Sequence, residues 1–234
     1  MVAISAHRGG GESAVPGSWA AYQHALTLDV DYVEFDVQRT RDGHLVAYHD
    51  KRAERRGVYP RHVNRADLDA FTVADLLGLI KGRVRAHIDL KESGYEADVV
   101  ALAKDRLGGV DEFIVTGSDA VVAAVKSADP DVHAALSLGR GWHEIRWSKT
   151  FQTRWSELRP LDRVRACGAD AVAVHHRLAR LGVLDQCRRA GIGTMVWTVN
   201  EPGLIRSLLS DPRVDLLITE KPELAARIRA AGIE

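Results

Sequence analysis

The 234-residue chain has few cysteines, no excess charge of either sign and no long apolar run. Its two cysteines, Cys167 and Cys187, lack the spacing of metal ligands, so we expect buried thiols, with a disulfide as the alternative. Basic and acidic residues number 32 each, which argues against nucleic-acid binding because that function favours a basic surface. No run of about 18 apolar residues occurs, so no transmembrane segment is expected.

The amino-terminal residues also lack the basic region and the apolar run of a secretory signal peptide. We therefore expect a cytoplasmic protein, although a processed mature chain would look the same. Hydrophobic residues make up 46% of the sequence, which is enough for one large core. Neither a linker nor a low-complexity segment interrupts the chain, and these features predict a single domain, residues 1–234.

Short segments rich in Val and Ile alternate with helical patterns, as is typical of a buried parallel sheet with crossover helices. Strands are predicted at residues 2–6, 32–37, 84–90, 112–116, 132–138, 171–175, 194–198 and 216–219. Helices are predicted between them at residues 18–28, 95–107, 119–128, 178–190, 202–209 and 222–231. Eight strands in a chain of this length favour an α/β fold of the (β/α)8 TIM-barrel type, with a doubly wound open sheet as the alternative.

One departure from this alternation follows the second strand. Asp42-Gly43 predicts the turn of a short hairpin, and residues 45–48 form its returning strand. Residues 73–80 have a helical pattern, so the segment returns to regular structure before the third strand.

A Trp-rich insertion after the fifth predicted strand, residues 139–165, is the second departure. Trp147, Phe151 and Trp155 recur every four residues, which predicts one face of a helix. Three interpretations are open: a helix packed over the barrel mouth, a lid whose aromatic faces bind an apolar or choline-bearing group, or a peripheral contact with a membrane.

Three carboxylates lie near the predicted carboxyl ends of the second and third strands, where the functional residues of a barrel gather. Glu34 and Asp36 are two residues apart, so both side chains point to one face, with Cα atoms roughly 6.5–7 Å apart. Asp89 and Lys91 repeat this spacing on the third strand. Because a metal would offset the repulsion among three carboxylates, and because an all-oxygen ligand set suits a hard cation, we predict a site for Mg²⁺ or Ca²⁺.

Two histidines are expected at the same mouth. His7, followed by Arg8, closes the first strand, and His49 closes the hairpin strand. The histidines can act as an acid and a base, while Arg8 and Lys91 can stabilise charge on a phosphate. For Arg8 the alternative is a salt bridge to Glu34 or Asp50. With a divalent metal, these groups form a minimal set for cleaving a phosphate ester.

Other polar and aromatic residues end the later strands. Trp197 ends the seventh strand and is expected to line the substrate pocket, with core packing as the alternative. His175-His176 ends the sixth strand, as either a structural pair or a substrate contact. Glu220 ends the eighth strand and is a candidate for a direct role, with no direct role as the alternative.

In these blocks the chain resembles the glycerophosphodiester phosphodiesterase family, over almost its whole length and in the family's order. The matching segments are His7-Arg8-Gly9, Glu34-Phe35-Asp36-Val37, Thr40 through Asp42-Gly43 to His49-Asp50, Ile88-Asp89-Leu90-Lys91, Trp197-Thr198-Val199-Asn200 and Ile218-Thr219-Glu220-Lys221-Pro222. The resemblance implies a TIM barrel and a divalent metal held by Glu34, Asp36 and Asp89. It also implies His7 and His49 as the acid–base pair. Arg8 and Lys91 match the family's phosphate-binding cations.

The chain departs from the family's pattern in three places. Pro16-Gly17-Ser18-Trp19 stands where the family usually has Pro-Glu-Asn-Thr, and Glu12 is a candidate to replace the lost carboxylate. Asp89 replaces the usual Glu as third ligand. The stretch between His49 and Asp89 is short, where many relatives have an inserted subdomain. These departures leave the phosphate chemistry intact and bear on glycerol specificity.

The resemblance implies hydrolysis of glycerophosphodiesters to glycerol phosphate and an alcohol through a cyclic phosphate. The expected partner is a small-molecule phosphodiester, with a lysophospholipid as a second candidate. Sphingomyelinase D-type phospholipases resemble this chain in the same His, Glu-x-Asp, His and Asp-x-Lys pattern, and a lyase of that type would stop at the cyclic phosphate. The last alternative is a barrel that binds a phosphate metabolite without turnover.

Overall fold

The computed structural model describes residues 1–49, 59–139 and 156–232 and shows a sheet closed into a barrel. The strands in these ranges are β1 (Ala3–Ala6), β2 (Tyr32–Arg39), β3 (Leu45–Ala47), β4 (Phe71–Thr72), β5 (Arg85–Leu90), β6 (Phe113–Gly117), β7 (His133–Leu138), β8 (Ala171–His175), β9 (Gly193–Trp197) and β10 (Leu216–Thr219). The α-helices around them include α1 (Trp19–Ala25), α2 (Val73–Ile80), α3 (Glu96–Leu107), α4 (Asp119–Ala128), α5 (Leu161–Cys167), α6 (His176–Leu178), α7 (Leu184–Ala190), α8 (Pro202–Leu209) and α9 (Pro222–Ala230).

Of the strands just named, eight run parallel and form the barrel: β1, β2 and β5 to β10. Closure occurs at β1, which pairs with β10 through Ala3 opposite Leu216 and with β2 through Ser5 opposite Tyr32. In an open sheet each outermost strand has a neighbour on one side only, whereas β1 has one on each side. The doubly wound alternative is therefore wrong, and the TIM-barrel prediction is confirmed. Each of the eight predicted strands is found within two residues of its expected bounds.

The predicted hairpin is also present, formed by β2 and β3. Arg39 lies opposite Leu45, and Gly43 in the connecting turn has a φ of 87°, which favours glycine. β3 pairs in turn with β4, a two-residue strand that the sequence pattern did not predict. Helix α2 has the predicted bounds and is capped by the preceding Thr72, whose side chain accepts a hydrogen bond from the Asp75 backbone N–H at 3.1 Å.

Alternate residues of the barrel strands face the surrounding helices, where they form the main core, or the barrel interior. The interior positions of β1, β2, β5 and β6 are mostly polar and include Ser5, Glu34, Asp36, His87, Asp89 and Thr116. Those of β8, β9 and β10 are mostly apolar and include Ala171, Ala173, Met195, Leu216 and Ile218. The polar half of the interior ends at the carboxyl end of the strands, where the candidate site lies.

At the amino ends of the strands, three aspartates form hydrogen bonds to a neighbouring strand. Asp31 precedes β2, and its backbone N–H donates to Ile4 O at 2.9 Å while its carboxylate accepts from Ile4 N at 2.8 Å. Asp170 makes the same pair of bonds with Ala134, and Asp215 makes it with Thr194. Each aspartate therefore satisfies a backbone donor and acceptor at the start of the preceding barrel strand.

The predicted helix at residues 178–190 is not continuous. It is divided into α6, a π-helical turn at Ala179–Val183, and α7. Gly182 lies in that turn with a φ of 86°, a left-handed conformation that an α-helix cannot contain. The prediction was wrong at this point because the apolar spacing continued through a glycine that the chain uses as a break.

Residues 140–155 of the Trp-rich insertion, which include Trp147, Phe151 and Trp155, lie outside the described residues, so the interpretations of that segment stay predictions. Across the three described ranges, no helix combines the length and apolarity needed to span a membrane.

Candidate active site

Glu34 and Asp36 of β2 and Asp89 of β5 form a carboxylate cluster at the carboxyl ends of these strands. Asp36 lies opposite Asp89 in the strand register, so both side chains leave the sheet side by side on its interior face. An oxygen from each of the three carboxylates lies within 4.8 Å of the other two, and the residues are 3%, 2% and 8% exposed, respectively. The structure therefore brings together the three predicted metal ligands, while their role as ligands stays a prediction.

The cluster holds more negative charge than its neighbours compensate. The Lys91 ammonium contacts Asp36 Oδ1 and lies 2.5 Å from Asp89 Oδ2. Among the described residues, no other donor reaches the Asp36 carboxylate, which is buried. Burial, reinforced by the charge of Asp36, raises the pKa of the Glu34 carboxyl. An additional cation would relieve this concentration of charge.

This donor set fits a hard divalent metal. Ligand oxygens on opposite sides of an ion lie about 4.2 Å apart for Mg²⁺ and about 4.8 Å apart for Ca²⁺, so oxygens within 4.8 Å of one another suit Ca²⁺, and Mg²⁺ requires a closer spacing. The Lys91 ammonium already occupies a position between Asp36 and Asp89 that attracts positive charge. Glu34, Asp36 and Asp89 are thus the residues that could hold such an ion.

His7 lies beside this cluster at the end of β1. Its Nε2 atom is 3.8 Å from Glu34 Oε2, and its Nδ1 atom is 3.3 Å from Glu220 Oε1. Burial of the ring opposes protonation, but the charges of Glu34, Glu220 and Asp36 outweigh it and raise the pKa of His7. The surrounding carboxylates therefore favour the protonated form of the imidazole at the mouth of the barrel.

The turn after β1 positions Arg8. This residue has a φ of 50°, which is uncommon for a residue other than glycine, and its backbone N–H donates to Glu34 Oε2 at 2.9 Å. Gly9 follows with a φ of 77°, and a Cβ there would lie 2.7 Å from the Ala21 carbonyl carbon of α1. The Arg8 guanidinium pairs with Glu220 at 2.8 Å, so its observed ion pair is neither of the two expected. Asp50 lies outside the described residues.

Glu220 links three of the site's side chains, a role that the sequence left undecided. Besides His7 and Arg8, its carboxylate accepts from Asn200 Nδ2 at 2.9 Å, and its backbone N–H donates to Asn200 Oδ1 at 3.0 Å. The adjacent His7 imidazole, assisted by the Arg8 guanidinium, lowers the pKa of Glu220 to about 2. The available signal was its place at the end of the last strand, because in a closed barrel that strand adjoins the first.

His49 lies two residues after the end of β3 and is exposed. The preceding residue ties it to the cluster, because Tyr48 N donates to Asp36 O at 3.0 Å and Gln38 Nε2 donates to Tyr48 O at 2.8 Å. The backbone hydrogen bond from Tyr48 to Asp36 therefore holds the residue next to His49 against β2, the strand that carries Glu34 and Asp36. Its catalytic role stays a prediction.

Trp197 lies at the end of β9, half-buried against the apolar half of the interior. Its Nε1 donates to Ala173 O at 2.9 Å, and its ring meets the His175 ring edge-on at 5.1 Å. The His175 ring also packs on the His176 ring, with 4.2 Å between centroids. Trp197 and the histidine pair therefore form one wall at the mouth, and contact with substrate stays a prediction for each.

The altered segment 16–19 starts helix α1. Ser18 caps the helix by accepting from Ala21 N at 3.2 Å, and Trp19 packs on Phe71 with ring centroids 5.1 Å apart. Glu12, the candidate replacement for the lost carboxylate, instead accepts from the Glu223 backbone N–H at 2.8 Å and so caps α9. The described carboxylate cluster does not contain it.

Residues 7–103 match the model of the "Glycerophosphoryl diester phosphodiesterase family". "Probable glycerophosphodiester phosphodiesterase 2" of Mycobacterium tuberculosis is 28% identical over 241 residues, which cover 94% of this chain and 87% of that protein. A glycerophosphodiester phosphodiesterase of Caldanaerobacter subterraneus is 42% identical over 52 residues. That match spans 22% of this chain and 21% of the relative's length.

Two solved structures share the fold along nearly the whole chain. A glycerophosphodiester phosphodiesterase from Parabacteroides distasonis is 19% identical, with a TM-score of 0.78 and coverage of 98% of this chain and 97% of that one. A phosphodiesterase from Oleispira antarctica, solved with the product sn-glycerol-3-phosphate, is 17% identical with a TM-score of 0.75. It covers 98% of this chain, and 96% of its own length is matched.

The closed parallel barrel defines a TIM-barrel protein. The buried carboxylates beside His7, at the carboxyl ends of the strands, form a candidate metal centre. The matched range 7–103 contains both predicted catalytic histidines, all three carboxylates and both predicted phosphate-binding cations. The resemblance seen in the sequence is thereby confirmed. Over residues 7–103 the chain is similar to the glycerophosphoryl diester phosphodiesterase family.

Proposed function

We propose that this protein hydrolyses glycerophosphodiesters to glycerol phosphate and an alcohol at the carboxyl mouth of its barrel. The observation that carries the proposal is the buried cluster of Glu34, Asp36 and Asp89 beside His7, within the range that the family model matches. The glycerol phosphate bound to the Oleispira antarctica phosphodiesterase supports the same product here.

A divalent metal, Mg²⁺ or Ca²⁺, held by the three carboxylates would supply Lewis-acid stabilisation of charge on the phosphate. Arg8 and Lys91 add fixed positive charge for the phosphate oxygens. Lys91 now contacts Asp36 and Asp89, so it lies where it can turn from the carboxylates toward a bound phosphate. Trp197 forms the wall against which the substrate lies.

His7 and His49 act as the acid–base pair. One histidine removes the proton from the hydroxyl next to the phosphoester, the hydroxyl oxygen attacks phosphorus, and the other histidine protonates the leaving alcohol. Water then opens the cyclic phosphate with the roles reversed. Glu220 orients His7 through Nδ1, which leaves Nε2 toward Glu34 and the reacting groups.

Phosphorus NMR of the purified protein with glycerophosphocholine tests the function directly. With Mg²⁺ or Ca²⁺ we expect glycerol phosphate to appear, and EDTA should stop the reaction. Failure to turn over glycerophosphocholine and a lysophospholipid with either metal would reject the proposed activity.

The assignment of the histidines is tested in the same assay. His7→Ala and His49→Ala should each lower turnover about 10²–10⁴-fold while the circular dichroism spectrum is unchanged. His24→Ala and His44→Ala are matched controls, because these histidines pair with Glu223 and Asp42 away from the cluster, and they should retain activity. A folded His7→Ala or His49→Ala variant with nearly full activity would remove that residue from the mechanism.

A lyase that releases the cyclic phosphate is the second candidate. Asp89 favours it, since the sphingomyelinase D-type phospholipases resemble this chain in using aspartate as the third ligand. The products separate the two: a phosphomonoester requires full hydrolysis, whereas a cyclic phosphate that accumulates identifies the lyase.

A further inference from the structure

Three buried polar side chains lie inside the barrel beneath Asp89, and the proposed reaction uses none of them. Ser5 of β1, His87 of β5 and Thr116 of β6 are 0%, 2% and 3% exposed, respectively. Ser5 Oγ is 3.0 Å from His87 Nδ1, and His87 Nε2 is 3.2 Å from Thr116 Oγ1. Thr116 Oγ1 then donates to Asp89 Oδ1 at 2.8 Å. The four groups form one continuous chain of hydrogen bonds.

The chain has a defined direction. The Asp89 carboxylate can only accept, so the single hydroxyl hydrogen of Thr116 points to it. Thr116 Oγ1 must therefore accept from His87, which places the ring hydrogen on Nε2 and leaves Nδ1 as an acceptor. Ser5 then donates its hydroxyl hydrogen to Nδ1. Each hydrogen bond runs toward Asp89, and such a chain polarises its members cooperatively.

The Thr116 hydroxyl hydrogen is used by Asp89, so the 3.2 Å contact between Thr116 Oγ1 and His87 Nε2 places a ring hydrogen on Nε2. In a neutral ring, Nδ1 is then the acceptor for Ser5.

The two oxygens of Asp89 have different partners. Oδ1 is held from below by Thr116, whereas Oδ2 faces the Lys91 ammonium that also contacts Asp36 Oδ1. Asp36 and Asp89 therefore present oxygens to a shared position for positive charge, and the orientation of Asp89 determines how well that position is formed.

We propose that Ser5, His87 and Thr116 form a directed hydrogen-bond relay that orients the Asp89 carboxylate for metal binding, so that they are positioning residues of the metal centre. This inference rests on the proposed function. Groups that orient metal ligands typically contribute about 10–100-fold to metal affinity.

Isothermal titration calorimetry with Mg²⁺ and Ca²⁺ on metal-free protein tests the relay. Thr116→Val keeps the side-chain shape but removes the donor to Asp89, and we expect its metal affinity to fall about 10–100-fold. Thr116→Ser restores the hydroxyl and should bind within about threefold of the wild type. Thr194→Val is the matched control, because it removes a buried hydroxyl that bonds to Arg213 O, away from Asp89. Its affinity should not change.

Two further measurements keep the inference open to refutation if Thr116→Val does not fold. Ser5→Ala removes the far end of the relay and should still weaken metal binding severalfold. Nitrogen-15 NMR of the wild-type ring, assigned with His87→Gln, should show hydrogen on Nε2 and none on Nδ1. Hydrogen on Nδ1, or unchanged affinity in folded Thr116→Val or Ser5→Ala, would overturn the relay.

The failure of this inference is distinguishable from failure of the proposed function. Wild-type protein that binds neither metal rejects the metal centre and the relay with it. Wild-type protein that binds metal, together with Thr116→Val that binds it equally well, rejects the relay alone.

Discussion

The two ends of the barrel both carry three carboxylates, but the carboxylates have opposite roles there. At the amino ends of the strands, Asp31, Asp170 and Asp215 each accept from a backbone N–H of a neighbouring strand. At the carboxyl ends, Glu34, Asp36 and Asp89 lie within 4.8 Å of one another, and Lys91 bridges two of them.

This difference distinguishes carboxylates that stabilise the fold from carboxylates that form the candidate site. A carboxylate that accepts from the backbone and pairs with a cation contributes to stability, as Asp170 does with Lys126 at 3.0 Å. A carboxylate that is buried beside two others lowers stability unless a cation joins it. We infer that the carboxyl end retains this cost because the same crowding creates metal affinity.

The largest expected effect is on the cluster. Asp36→Asn should reduce kcat/KM for glycerophosphocholine at least about 10³-fold, because metal ions contribute several kcal/mol to transition-state stabilisation. The metal-induced rise in Tm should disappear as well, as differential scanning fluorimetry with and without Mg²⁺ or Ca²⁺ would show. Asp170→Asn is the matched control and should retain both properties. Equal losses in the two variants would contradict the division between the ends.

Lys91→Met tests the same cluster by removing its cation instead of a carboxylate. Removing the cation leaves Asp36 and Asp89 uncompensated, so the free energy of unfolding of the metal-free protein should fall by about 3 kcal/mol. Saturating metal should restore a large part of the lost stability. Urea denaturation of the metal-free and the metal-saturated variant measures the free energy of unfolding in each state. If the metal-free variant is as stable as the wild type, Lys91 does not act as the internal cation.

A smaller loss of stability is expected at the amino end. Asp170→Ala leaves the Ala134 backbone N–H and the Lys126 ammonium without their carboxylate partner, which should lower the free energy of unfolding by about 2 kcal/mol. Added metal should not restore this loss. Urea denaturation tests the prediction, and a variant whose activity per folded molecule also falls would contradict a purely structural role.

The smallest predicted change is a shift in the pKa of His7. Glu220 helps to raise that pKa, so Glu220→Gln should lower it and His7 should lose its proton at a lower pH. The ring signals of His7 in an NMR pH titration of the metal-free protein measure the shift. Glu223→Gln removes a carboxylate that pairs with His24, and the pKa of His7 should be unchanged in that variant. A rise in the Glu220→Gln variant would contradict the assigned partner.

Much of the candidate site was predictable because its residues lie where local patterns end. His7, Glu34, Asp36 and Asp89 each follow or interrupt an apolar strand, and a parallel barrel brings such positions to one mouth. The helix α2 and the β2–β3 hairpin were also predictable, since each begins or turns at residues with a local signal, Thr72 and Gly43.

The positioning contacts were not predictable in the same way. Glu220 meets His7 and Arg8 only because β10 closes against β1, more than 200 residues away along the chain. His87 carried a weak signal, as a polar residue two positions before Asp89 on the same strand face. No local pattern indicated that Ser5 and Thr116 would be its partners.

The sequence by itself determined the eight strands and the candidate site residues at their ends, because strand periodicity and polar strand ends are local properties of the chain. The tertiary structure alone decided which oxygen meets which cation, which aspartates stabilise the fold, and how Ser5, His87 and Thr116 connect to Asp89. Those contacts depend on the register of neighbouring strands and on barrel closure, which no local segment specifies.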